Sequence, residues 1–247
     1  MRQKIKLCCL AICVLAMCSV KLIAQGGPPM ITDDPFTPEI GHWENNIAVQ
    51  WTHSGDTHIV QFPAADINYG YNEHTQLKIE MPILVITSDE AHSVIGRGNV
   101  KIGIKERFLD EGTSGIAIST YPQYQFATAT AVGEDDGAQF FLPVEAAKTF
   151  GKFHLAAELG YNFIKSSSDE LQYGIVGGYD VSEQCSFFAE LHQENDLQSG
   201  GGESIVNIGT HVNINSSLAL IASAGTTLHA EMGEQTYLTY LGVQILF

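Results

Sequence analysis

The sequence predicts an all-β chain: a transmembrane, antiparallel up-and-down β-barrel of about twelve strands, closed on itself. Three observations carry this. The last twelve residues, Thr236–Phe247, alternate, with Tyr237, Thr239, Leu241, Val243, Ile245 and Phe247 on one face and Tyr240, Gly242 and Gln244 on the other. The same alternation recurs from Trp43 onward in segments close to the 9–11 residues that a tilted barrel strand needs. After the first 24 residues there is no apolar run of 18 or more, so a membrane crossing must be made by strands.

The N-terminus reads as an export signal. Arg2, Lys4 and Lys6 precede an apolar stretch from Leu7 to Val20, and small and neutral residues follow at Ala24-Gln25. The apolar stretch is too short for a spanning helix, which argues against an uncleaved anchor, and Met17 before Cys18 argues against a lipoprotein. Residues 1–24 are therefore assigned as signal peptide. They hold four of the five cysteines, leaving Cys185 alone and no intramolecular disulfide. They also hold four of the twelve basic residues and none of the 28 acidic ones. The remaining chain is strongly acidic, which excludes nucleic acid as a partner. It suits outer loops that bind divalent cations beside lipopolysaccharide. Residues 25–42, rich in Pro and Gly and without a period, read as an extended periplasmic lead-in or a segment folded into the lumen; residues 43–247 form the barrel.

The strands follow in order. Trp43–Thr52 sets Ile47, Val49 and Trp51 against Glu44, Asn46 and Gln50. His58–Tyr69 opposes Ile67 and Tyr69 to Asp66 and Asn68. Thr75–Ile86 opposes Leu77, Ile79 and Met81 to Gln76, Lys78 and Glu80. Asn99–Leu109 opposes Ile102 and Ile104 to Lys101, Lys105 and Arg107, and Gly115–Phe126 opposes Tyr124 and Phe126 to Tyr121, Gln123 and Gln125. Ala138–Thr149 sets Phe140, Leu142 and Val144 against Gln139 and Glu145. Phe153–Phe163 is the cleanest, with Leu155, Leu159 and Phe163 against His154, Glu158 and Asn162. Leu171–Val181, Cys185–Glu194, Ile205–Asn213 and Leu218–Leu228 repeat the pattern, and the terminal strand closes it.

Connections alternate between short turns, such as Gly151-Lys152, and longer acidic or Gly-rich loops, such as Thr128–Gly137. Short turns on one rim and long loops on the other is the outer-membrane arrangement, and an even strand count puts both chain ends on the short-turn rim. Glycines at 103, 160, 174, 178, 209, 225 and 242 fall on the polar face, marking tight curvature or a crowded interior. Aromatics gather near segment ends, as interfacial girdles require. A soluble barrel would invert the pattern and pack its apolar face inward; the leader, the terminal Phe and the loop asymmetry favour the membrane form.

The terminal aromatic strand looks like the closing strand of bacterial outer-membrane barrels, in which that residue is read by the insertion machinery. Several blocks also resemble the outer-membrane transporter family associated with the MetA pathway of phenol degradation: Asp33–Glu44, Ile67–Pro82, Gly98–Glu111, Ser119–Gln123, Leu142–Gly151 and Ala157–Tyr161. The resemblance implies an exported outer-membrane channel that passes small molecules, hydrophobic or aromatic ones among them. It brings no catalytic motif.

The inward-facing charges are the candidate pore lining: Lys78, Lys101, Lys105 and Arg107 on neighbouring strands, with Glu80 beside Lys78, and Glu44, Asp66, Glu145, Glu158, Asp180, Glu190, His192 and Glu194 elsewhere. In a ring of twelve, the basic wall would face Glu190 and Glu194, giving a transverse field that sets solute preference. Local neutralisation in a filled lumen is the alternative. Glu190, His192 and Glu194 share one face but match no metal motif, and HExxH, CxxC and EF-hand spacings are missing, so no metal, cofactor or catalytic residue is assigned. An outer-membrane hydrolase is the rival class, with rim residues Asp56, His58, Asp89, His92, Asp135, Asp136 and Asp196 as its candidates; a closed structural barrel is the third reading. Expected partners are lipid and lipopolysaccharide, the insertion machinery through Phe247, and a small solute. Loops Thr87–Gly98 and Thr128–Gly137 are expected to help set selectivity.

Overall fold

Alternating apolar and polar residues satisfy two solvents at once only if every strand edge is paired, and closure achieves this. The computed structural model describes residues 27–88, 91–131, 137–230 and 235–247. The predicted signal peptide and rim residues Asp89, Asp135 and Asp136 lie outside them.

Among the described residues, fourteen strand segments build the ring: β1 (Trp43–Ser54), β2 (Thr57–Gly70), β3 (Thr75–Ser88), β4 (Ala91–Arg97), β5 (Val100–Leu109), β6 (Ala117–Thr120), β7 (Gln123–Phe126), β8 (Gln139–Phe150), β9 (Phe153–Ile164), β10 (Glu170–Asp180), β11 (Cys185–Asp196), β12 (Gly202–Asn215), β13 (Leu218–Ala230) and β14 (Thr236–Leu246). β4 and β5 are one stave interrupted at Gly98-Asn99, and β6 and β7 are one stave interrupted at Tyr121-Pro122, so the barrel has twelve antiparallel staves. A single helical turn, α1 (Glu111–Ser114), caps one short connection.

The ring closes between β1 and β14, in register from Glu44 opposite Leu246 to Ser54 opposite Thr236. The terminal residue completes the seam: Trp43 N–H donates to the Phe247 carbonyl at 2.7 Å, and Phe247 N–H returns a bond to the Trp43 carbonyl at 3.1 Å. Trp43, Tyr69 and Phe247 pack together there, with Phe153 against Tyr179 on the same rim. The opposite rim carries Trp51, His53, His58 and Tyr237, then Tyr124 with Phe126 and Phe140 with Phe163. Two aromatic belts thus bracket the apolar wall, with Trp43, Tyr69, Tyr179, Trp51, Tyr237 and Tyr124 supplying the amphipathic rings that suit a membrane interface.

Between the belts the outer wall is aliphatic: Leu142, Val144, Leu155, Leu159, Leu191, Ile208, Leu220 and Leu241 are all exposed. The inner wall is polar, with Asn46, Asp66, Gln76, Lys105, Glu145, Glu158, Glu190, His192 and Asn207 buried. On β9 the contrast falls between adjacent residues, Glu158 at 6% exposure and Leu159 at 55%.

The predicted loop Thr87–Gly98 is corrected. β3 runs on to Ser88 and pairs with β4, with Leu84 opposite Gly96, so most of that stretch is a hairpin rising from the barrel wall. Ile83–Ile86 is apolar at four successive positions and Thr87 and Ser88 are both polar, so the alternation that marks a strand in sequence is lost there although the pairing continues. The first connection on that rim is likewise only the two-residue turn at Gly55-Asp56.

Candidate functional site: the occupied lumen

Residues 27–38 run inside the barrel. Pro residues at 28, 29, 35 and 38 prevent regular pairing: Gly27–Met30 closes a turn of its own, with Met30 N–H donating to the Gly27 carbonyl at 2.7 Å, and the residues beyond it form a ribbon whose backbone groups need partners elsewhere. The inner wall supplies them. The Glu190 carboxylate accepts the backbone N–H of Ile31 at 3.1 Å and of Thr32 at 2.5 Å. Its second contact on the wall is the Asn207 amide, donating at 3.1 Å. Thr32 Oγ1 lies 3.3 Å from His192 Nδ1, and Ser223 Oγ donates to the Pro29 carbonyl at 2.7 Å. Lys105 Nζ donates to Asp33 Oδ1 at 2.9 Å and to the Asp34 carbonyl.

Apolar packing fixes the same segment. Met30 sits in a pocket of Ala147, Ala156, Val176 and Phe188, with Phe36 packed alongside. Two of the inward glycines have their reason here. A Cβ at position 174 would run into Thr32 Oγ1, and one at 209 into the Met30 Cε methyl. At 174 the short, branched Thr32 side chain has little room to yield, so glycine is what lets the ribbon approach so closely, whereas at 209 the flexible Met30 end could shift.

Asp34 is buried and Asp33 half-buried, and the two titrate oppositely. Burial disfavours ionisation of Asp33, yet the Lys105 and Lys78 ammonium groups outweigh it and hold the carboxyl below its ordinary value. For Asp34 burial wins, with Asp33 and Glu44 adding repulsion against the pull of Lys105, and the carboxyl is pushed up to about 8.

The predicted lining residues all lie on the inner wall, but they do not form a free basic face opposite a free acidic one. Lys78 Nζ sits 2.7 Å from Glu80 and 3.5 Å from Asp66, and Lys101 is 3.4 Å from the other Glu80 oxygen. Lys105 lies 3.4 Å from Glu145, which also accepts from Ser119 at 2.5 Å. Arg107 pairs with Asp110 at 2.7 Å and donates to the Glu73 carbonyl near the short-turn rim. The expected transverse field is therefore corrected: each cation has a carboxylate neighbour, because two opposed charges facing a confined lumen gain more by pairing at 3 Å than across its full width.

Asp66 further accepts from Asn46 and Asn68. Asp180 bridges His154 at 2.8 Å and Ser186 at 2.6 Å. His192 spans Thr32 and, at 3.3 Å, Glu194. Glu44 borders a small gap of about 20 Å³ beneath the ribbon. Glu158 faces a larger chamber above it. Among the rim candidates of the hydrolase reading, Asp196 accepts the backbone N–H groups of Gln198 and Ser199 and the Ser168 hydroxyl, an ordinary turn. The rings of His53 and His58 stack on each other with centroids 4.2 Å apart.

The chamber has a volume of about 470 Å³ and is floored by Gly27–Ile31 and Asp33. Gln50, Gln61, Gln123, Gln125, Phe141 and Tyr240 are among the residues that line it. Charge-based reasoning from sequence missed these glutamines, although the alternation already put Gln50, Gln123 and Gln125 on the inner face. It also missed the inward apolar residues Val176, Phe188 and Ile221, which interrupt an otherwise polar wall.

No family model matches the chain, and no curated protein matches it. Solved structures do. An outer membrane channel from Pseudomonas putida F1 superposes with a TM-score of 0.69 at 13% identity, over 87% of this chain and 98% of that one. The KdgM porin gives 0.55 at 11% identity over 82% and 99% of the two chains, and the NanC porin 0.56 at 8% over 81% and 98%. At these identities the likeness is one of fold: this chain shares the closed barrel of outer-membrane channels and porins.

Proposed function

We propose that this chain is an outer-membrane channel for small solutes, working by passive or facilitated diffusion. The observation that carries the reading is the closed ring with an aliphatic outside and a polar chamber of about 470 Å³ inside, a size within the usual range for small-molecule sites. Lipid on the outside and water inside satisfy both faces. Like-folded neighbours described as an outer membrane channel, as porins and, at a TM-score of 0.50, as a monoaromatic hydrocarbon channel agree with it. Export by the N-terminal leader, insertion through the Phe247 terminus and contact with lipopolysaccharide belong to the same reading.

The ribbon narrows the path, so passage runs beside it or follows its displacement. Swelling of liposomes carrying the full chain tests the proposal. Small uncharged solutes should enter, with rates falling steeply as solute size increases; swelling no faster than in empty liposomes would overturn it.

A further inference from the structure

We propose that the upper chamber binds a neutral polyhydroxylated solute, of monosaccharide to disaccharide size, through the side-chain amides of Gln50, Gln61, Gln123 and Gln125. The inference rests on the channel reading and names the solute class of that chamber. Gln50 and Gln61 sit directly opposite each other on β1 and β2. Gln125, two residues along β7 from Gln123, sits opposite Gln139 on β8. The Asn162 amide then donates to Gln139 Oε1 at 3.1 Å, extending the amide belt to β9. In the ring β9 lies across from β1 and β2, so amides meet the chamber from opposing walls.

Among the described residues, the side chains of Gln50, Gln61, Gln123 and Gln125 have no hydrogen-bond partner, although all four line the chamber. Each amide offers two donors and an acceptor at one point. Hydroxyl groups, which both give and accept, match such a surface from any direction. An aromatic hydrocarbon would strip water from these amides and return nothing, and unpaired polar groups are what a site discriminates against most strongly.

The charges around the chamber point the same way. Among the described residues that line the chamber, the lysines Lys78 and Lys101 are already matched by Asp66 and Glu80, which leaves no unpaired lysine or arginine there to hold an anionic solute. Glu158, buried and facing the chamber, adds a carboxyl group that can hydrogen-bond a hydroxyl. The rings of Phe141 and Tyr240 offer apolar faces for the C–H side of a sugar ring.

Saturation-transfer NMR on the full chain, folded in a detergent without a sugar headgroup, tests this with D-glucose, benzoate and ethanolamine as probes. Glucose should show transfer and the other two much less. The double variant Gln50→Leu/Gln61→Leu should lower glucose affinity on the order of fivefold to tenfold, as expected for one or two lost hydrogen bonds. Gln123→Ser/Gln125→Ser provides a polar replacement should the leucines prevent folding, which a gel-mobility shift on heating reports. Stronger transfer to benzoate or ethanolamine, or equal glucose affinity in the variants, would overturn the inference. Glucose binding without liposome swelling would sink the channel reading alone and leave the binding site standing.

Discussion

Glu190 is the residue on which the ribbon depends most. Its two oxygens take both backbone N–H groups of Ile31 and Thr32, and bonds to a charged acceptor contribute about 1.5–3 kcal/mol each. Glu190→Ala should leave those amides buried without a partner and raise their hydrogen exchange at least tenfold, while amides of the β9–β10 ladder stay protected. Unchanged exchange at Ile31 and Thr32 would show that Met30 packing alone holds the segment. Asp34 gives a pH dependence with a definite sign. Its carboxyl rises on seating from an ordinary value near 3.8 to about 8, so the seated form binds the extra proton between those limits. Seating is then strongest below pH 4 and weakens as pH climbs through 8. Asp33, held below its ordinary value, stays ionised over that range and adds no slope. Exchange protection across residues 31–36 should fall between pH 5 and pH 8.5, and Asp34→Asn should flatten the dependence. At this scale the sequence revealed which residues face inward but not what they touch. Alternation fixes a side chain's face, whereas the Lys78, Lys101 and Lys105 pairings depend on registers between strands and on a ribbon whose own residues carry no period.

The ribbon and the staves form two different kinds of element. Each stave is specified by its own alternation, which is why all twelve were legible in the sequence. The ribbon is specified by gaps left for it. Gly174 and Gly209 were readable as signs of crowding, but not as the seats of Thr32 and Met30. Gly174→Ala should push Thr32 off the wall at a cost of about 1–3 kcal/mol, the usual penalty of overpacking. Small-solute swelling rates should increase with it; a rate equal to or below that of the unsubstituted chain would mean that the ribbon does not limit passage. The β1–β14 seam is the second element-level dependency. Phe247→Ala removes the ring packed on Trp43 while keeping the backbone bonds, so the folded fraction after refolding into lipid should drop and the unfolding temperature should fall. Extended strands were less legible at their outer ends, as the β3–β4 hairpin shows: once a strand leaves the bilayer, neither face is compelled to be apolar.

At the scale of the whole molecule, the inside-out distribution of polarity is the physical basis of everything else. A chain with acidic side chains such as Glu145, Glu158 and Glu190 buried, and with leucines and isoleucines exposed over its waist, has no stable arrangement in water. The same distribution is favourable in a bilayer, where the exposed aliphatic wall meets acyl chains and the charges pair around the ribbon. The sequence carried the main lines of this distribution, without the inward Val176, Phe188 and Ile221, and left open its sense, outward or inward. Spin labels decide the sense directly. With Cys185 replaced by Ser, labels at Leu159, Leu191 and Ile208 in reconstituted bilayers should be accessible to oxygen and shielded from a polar nickel chelate. Labels at Glu158, Glu190 and Asn207 should show the reverse order or be shielded from both. Oxygen-accessible labels at the second set, with chelate-accessible labels at the first, would contradict the barrel's orientation toward lipid and the channel that follows from it.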